Sequence, residues 1–96
     1  MQVIPLVSIV VPCFNEAAGI ANFHTILNAS ISALADINWE ILCVDDGSTD
    51  GTLAALLALA EHDPRMKIVE LSRNFGKEAA LTAGLDAARG DAVIPL

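Results

Sequence analysis

At 96 residues the chain holds one domain at most, and its 54% hydrophobic content supplies a core and excludes a disordered polymer. The formal net charge of −7 argues against nucleic acid as a partner, because a phosphate backbone demands a basic face. It leaves phosphorylated small ligands open, since local charge decides their binding.

The first element in chain order is Val7-Ser8-Ile9-Val10-Val11, β-branched and almost wholly apolar, as a strand covered on both faces should be. From about Glu16 to Ala35 the apolar residues Ile20, Phe23, Leu27, Ile31 and Leu34 recur at helical spacing, which predicts a helix. Trp39 to Val44 predicts a second strand. Thr52 to His62 repeats the helical spacing through Leu53, Leu56, Leu57 and Ala60, and Pro64 enforces its end. Met66 to Leu71 reads as a third strand. Lys77 to Arg89 reads as a third helix, with its stripe at Leu81, Leu85 and Ala88 and Gly90 placed to end it. Mid-helix Gly84 costs about 1 kcal/mol relative to alanine, so close packing of this helix on the sheet is expected there. Asp91 to Leu96 begins a fourth strand.

This alternation predicts an α/β domain over residues 1–96, with a mainly parallel sheet of about four strands and three helices. Crossovers should be right-handed, and ligands should bind beyond the carboxyl ends of the strands. Cys13 and Cys43 are too few for a disulfide framework and read as buried reduced thiols. The longest strongly apolar stretch, Leu53 to Ala60, is too short for a bilayer, which needs about 20 apolar residues. Met1 to Pro5 lacks the basic start of a signal peptide, so this stretch of chain reads as soluble and cytosolic. His24 and His62 read as ordinary surface residues.

The strand ends carry the chemistry. After strand one, Pro12 fixes φ and is expected to close the strand, Asn15 suits a helix N-cap, and Glu16 suits the positive end of a helix dipole. After strand two, Asp45 and Asp46 repel each other unless something uses them, and carboxylates there can accept from a nucleobase N–H or ribose hydroxyls. Gly47 permits positive φ and close backbone approach, and Ser48, Thr49 and Asp50 are competent N-caps. After strand three, Arg73 and Lys77 lie at a helix start, where cations are disfavoured by about 0.3–1 kcal/mol each. With Gly76 they predict an anion site in which backbone N–H groups cradle a phosphate. There is no Gly-x-Gly-x-x-Gly and no P-loop, which disfavours dinucleotide and NTPase folds.

Three segments together resemble family 2 glycosyltransferases: Val10-Val11-Pro12-Cys13-Phe14-Asn15-Glu16, Val44-Asp45-Asp46-Gly47-Ser48-Thr49-Asp50-Gly51-Thr52, and Leu71-Ser72-Arg73-Asn74-Phe75-Gly76-Lys77-Glu78-Ala79-Ala80. The third is similar to the subgroup that loads sugars onto polyprenyl phosphates, akin to dolichol-phosphate mannose synthase and bactoprenol glucosyltransferases. The resemblance implies a GT-A three-layer α/β sandwich and transfer of sugar from a UDP- or GDP-sugar to an undecaprenyl or dolichyl phosphate. It implies that Pro12, Asn15, Glu16, Asp45, Asp46, Gly47 and Ser48 hold base and ribose, and that Arg73, Gly76 and Lys77 lie near the diphosphate.

In such enzymes an Asp-x-Asp at the end of strand four binds Mg²⁺ or Mn²⁺, which is expected just after Leu96. No metal ligand or catalytic residue is therefore assigned within the chain, which is expected to bind nucleotide weakly without transferring sugar. The whole protein is expected at the cytoplasmic face of the inner membrane, held there by parts beyond Leu96. An exposed fourth strand favours self-association into a homo-oligomer. A family member acting on a saccharide and a non-catalytic nucleotide-binding module are the alternatives. A response-regulator receiver fails on position, because its acidic pair follows strand one.

Overall fold

A computed structural model describes residues 3–96. Seven elements alternate along it: β1 (Leu6–Cys13), α1 (Ile20–Ser32), β2 (Asn38–Asp45), α2 (Thr52–His62), β3 (Met66–Glu70), α3 (Lys77–Ala87) and β4 (Ala92–Pro95). All strand pairs are parallel, in the order β3-β2-β1-β4. The chain steps from β1 through β2 to β3, then returns across both to place β4 on the far side of β1. With right-handed crossovers, that reversal must carry α3 to the face opposite α1 and α2. The packing agrees: Ile9, Val11, Ile41 and Cys43 lie with Ile20, Ile31 and Leu56 on one face, while Val10, Leu42 and Val44 lie with Ala80 on the other. The fold is the expected three-layer sandwich, and the strand order reverses between β1 and β4, where open sheets of this kind form a crevice.

Several local boundaries move, each for a long-range reason. β1 runs to Cys13 rather than closing at Pro12, which pairs in register with Val44. The Cys13 carbonyl accepts the Asp46 N–H on the β2 side. The alternation of the strand then turns the Pro12 nitrogen the other way, to the β4 side, where proline has no N–H to give. α1 starts at Ile20 with Gly19 as its N-cap, so neither Asn15 nor Glu16 caps it. Instead Asn15 adopts φ 50, and the N–H groups of Asn15, Glu16 and Ala17 donate to Ser48 Oγ, Thr52 Oγ1 and Asp50 Oδ2. With those groups drawn across to the β2–α2 loop, a separate turn closes from the Gly19 N–H to the Glu16 carbonyl before the helix begins.

α3 likewise ends at Ala87, short of Arg89 and Gly90. Buried Glu40 is the cause. Its Oε2 accepts the Arg89 N–H at 3.0 Å and the Ser8 hydroxyl, while Ser8 Oγ accepts the Gly90 N–H at 2.8 Å. Lys67 Nζ completes the group with a 2.9 Å bond to Glu40 Oε1. Of the expected α3 stripe, Leu81 and Ala88 pack against the sheet-face cluster, and only Leu85 turns away. Ala80 and Gly84 are buried, whereas Leu85 is exposed, as is Leu57 on α2. Small residues let α3 approach the sheet closely: a Cβ on Gly84 would run into Val10 and come within 3.2 Å of Val44 Cγ2.

His24 is not a free surface residue. Its Nε2 lies 2.9 Å from Asp63 Oδ2, and Asp63 also takes the Arg65 guanidinium at 2.9 and 2.8 Å, tying α1 to the α2–β3 turn. The Arg65 guanidinium, aided by His24, outweighs burial and holds the Asp63 carboxyl well below the usual range. Cys13 and Cys43 are buried free thiols. They lie one strand and two residues apart, about 8 Å between Cα atoms from strand geometry, beyond the reach of a disulfide at about 4.4–6.8 Å. The Cys43 thiol and burial push the Cys13 thiol far up, so it stays protonated.

Gly84→Val is expected to cost about 2–3 kcal/mol by overpacking α3 against the sheet, read as a lower denaturation midpoint in urea with an unchanged slope. A second expectation concerns acid. Burial raises the Glu40 pKa, but bonds from Ser8, Arg89 and Lys67 prevail and lower it from 4.5 to about 2. The folded value is depressed, so its stabilisation is present above pH 4.5 and is lost as pH falls towards 2. The melting temperature should therefore fall between pH 4.5 and 2 for the wild-type chain, and fall less for Glu40→Gln.

Candidate functional site

The pleat of β2 determines how the paired carboxylates are used. Successive side chains alternate faces, so Asp45 turns towards α2 and Asp46 towards α3. The two therefore do not repel each other across one shared site, and both are buried, at 2% and 3% exposure. Two clefts open at the carboxyl end of the sheet. One, of about 510 Å³, lies at the β1/β4 reversal and is lined by Pro12, Phe14, Glu16, Asp46, Gly76, Lys77 and Leu96 among others. The other, of about 720 Å³, is lined by Asp45, Gly47, Ser48, Asp50, Leu53 and Arg73 among others. Phe14 and Asn74 line both and form the ridge between them.

Each cleft thus receives one carboxylate of the pair and one cation: Asp46 with Lys77, and Asp45 with Arg73. Arg73 lies over the Phe75 ring, 4.8 Å from its centroid, which fixes the guanidinium on the rim. Asp45 Oδ1 accepts a long bond of 3.3 Å from the Ser48 N–H. Among the described residues nothing donates to its other oxygen, which is available to a ligand hydroxyl or N–H. Phe14 is 43% exposed, a large aromatic face at the junction.

The loops are tied to one another before any ligand arrives. Asn15 Oδ1 accepts the Thr49 N–H at 2.8 Å, and Ser48 Oγ accepts the Asn15 N–H at 3.0 Å. Asn15 and Ser48 therefore hold each other across the β1–α1 and β2–α2 loops. Gly47, at φ 69, is pressed against the β3–α3 loop so closely that a Cβ would strike the Arg73 and Asn74 backbone. Gly76, at φ 100, is the N-cap of α3.

The expected phosphate cradle differs from its sequence reading in one respect. The N–H groups of Phe75 and Gly76 are already taken by the Asp46 carboxylate, at 2.8 and 3.1 Å. The anion at this helix start is internal. Asn74, Phe14, Asp50 and Thr52 were missed as site residues from the sequence. Asn74 and Phe14 were visible only as the neutral neighbours of Arg73 and Asn15, and an exposed loop aromatic was the one available signal. Among the described residues no group of three or more His, Cys, Asp or Glu is placed to hold a metal ion.

The chain belongs to glycosyl transferase family 2, whose family model matches residues 8–96. It is 47% identical over 89 residues to an uncharacterized glycosyltransferase of Synechocystis sp.. It is 46% identical over 90 residues to the bactoprenol glucosyl transferase of Shigella phage SfV. The matches cover 93% and 94% of this chain but only 28% and 29% of those relatives. Among solved structures, a mannosyltransferase from Pyrobaculum calidifontis in complex with GDP-Man and Mn²⁺ superposes with a TM-score of 0.77 at 34% identity, over 96% of this chain and 27% of that one. S. aureus TarS 1-349 superposes with a TM-score of 0.74 at 26% identity, over 96% of this chain and 26% of that one. The architecture is that of GT-A glycosyltransferases.

Proposed function

We propose that these residues form the donor-nucleotide side of a glycosyltransferase that moves a sugar from a UDP- or GDP-sugar to a polyprenyl phosphate. One observation carries the reading. Asp45 at the end of β2, Asp46 just after it, and Arg73 and Lys77 from around the start of α3 meet at the same end of the sheet, in two adjoining clefts. A nucleoside fits the Asp45 cleft, where a carboxylate oxygen accepts from base or ribose and Phe14 offers a stacking face. The diphosphate then crosses the Phe14–Asn74 ridge towards Lys77. Pro12 of β1 and Glu16 of the β1–α1 loop line that second cleft.

In the Lys77 cleft two carboxylates, Glu16 and Asp46, face one ammonium. A diphosphate there lacks positive charge, which a bound Mg²⁺ or Mn²⁺ supplies when present. No residue described here is assigned to the ion. The polyprenyl acceptor is supported by the bactoprenol glucosyl transferases among the relatives. With such an acceptor in the bilayer and a nucleotide sugar from the cytosol, the proposed reaction lies at the cytoplasmic face of the membrane; no helix among the described residues is long and apolar enough to cross one.

Calorimetry with UDP and with GDP, each with and without Mn²⁺, is expected to show weak binding of one nucleotide, tightened by the ion. Asp45→Asn should weaken it about tenfold, the size of one lost charge-assisted hydrogen bond. Absence of binding by both nucleotides under all conditions would overturn the reading.

The β4 edge supports a homo-oligomer as well. Among the described residues β4 pairs with β1 alone; Ile94 on it is 43% exposed, and Leu96 just after it is 50% exposed. Light scattering is expected to show the apparent mass rising with concentration. A constant monomer mass would count against it.

A further inference from the structure

Resting on the nucleotide-binding reading, we infer that Asp46 is a positioning residue that aims Lys77 at the diphosphate, and that it is not itself a ligand contact. The carboxylate is enclosed at 3% exposure and already has three donors from one turn. Oδ1 accepts the Phe75 N–H at 2.8 Å. Oδ2 accepts the Gly76 N–H at 3.1 Å and Asn74 Nδ2 at 3.2 Å. Asn74 Nδ2 also bonds the Asp46 carbonyl at 3.0 Å, so the side chain of one loop straddles the backbone and carboxylate of the other.

The consequence runs along the chain. Gly76 holds φ 100, a conformation that excludes a side chain, and Lys77 follows it as the first residue of α3. Fixing the Phe75 and Gly76 amides therefore fixes the direction from which Lys77 leaves the helix start. Gly47 admits no alternative spacing, because the Arg73–Asn74 backbone already occupies the position a Cβ would take. A negative charge at these amides also offsets the unfavourable placement of a cation at the positive end of a helix. Asp45 and Asp46 thus divide the work: Asp45 faces the nucleoside, and Asp46 holds the turn that presents the cation.

The test compares UDP with UMP and GDP with GMP by calorimetry, because their ratio isolates the contribution of the β-phosphate. In the wild-type chain the diphosphate should bind more tightly, and Lys77→Ala should remove that advantage. Asp46→Asn should lower the ratio by at least about fivefold, the scale of a misplaced charge-assisted contact, with monophosphate affinity changed less than about twofold. The double variant should be no worse in ratio than either single one, since both act on one interaction. Asn74→Ala, which removes one of the three donors, should shift the ratio the same way by less, and it serves if Asp46→Asn does not fold.

Equal weakening of mono- and diphosphate by Asp46→Asn, or ratio losses that add with Lys77→Ala, would overturn the proposal. Amide NMR separates this from failure of the nucleotide reading. The Phe75 and Gly76 amide protons should lie downfield without ligand and move upfield in Asp46→Asn or, more weakly, in Asn74→Ala. Unmoved signals refute the clamp. Intact signals with no nucleotide bound refute the nucleotide reading instead.

Discussion

The site depends on one buried carboxylate. Asp46 directly follows β2 and accepts two backbone amides and one side-chain amide from the turn that opens α3. An unpaired carboxylate at such burial would be costly, so the turn and the strand end stabilise each other. Gly47 makes the contact possible by bringing the two backbones together without a side chain between them. The β1–α1 loop joins through Asn15 and Ser48, and three loops that are far apart in sequence become one floor for two clefts.

A second buried carboxylate performs the equivalent task at the other end of the sheet. Glu40 gathers Ser8, Lys67 and the Arg89 amide, and so sets where α3 stops and β4 starts. The two ends differ in what remains for outside partners. Glu40 is surrounded by its own donors, which hold its pKa to about 2 despite burial. Asp45 has one long bond and an oxygen facing a cleft. That difference separates a carboxylate that organises the fold from one whose second oxygen is left for the proposed ligand.

Membership in glycosyl transferase family 2 gives this floor a chemical setting. The matched relatives are more than three times longer than the stretch they share with this chain. What lies within the shared stretch is the loop set at the carboxyl end of the sheet, and its charges agree with the donor-binding role proposed above.

The sequence by itself determined the order of strands and helices, the parallel sheet and the loops that carry polar residues, because apolar periodicity and strand-end composition are local properties. It also determined that Gly84 packs against strands, since a mid-helix glycine is unfavourable without such a contact. Only the tertiary structure decided where α1 begins and α3 ends, because amides from residues 15–17 and 89–90 find partners more than thirty positions away. It alone showed Ala80 on the sheet and Leu85 turned away from it, since closeness of approach selects small residues over bulky ones. It paired His24 with Asp63 across the gap between α1 and the α2–β3 turn. And it split Asp45 from Asp46: adjacent letters read as one acidic patch, whereas a pleated strand points them to opposite faces.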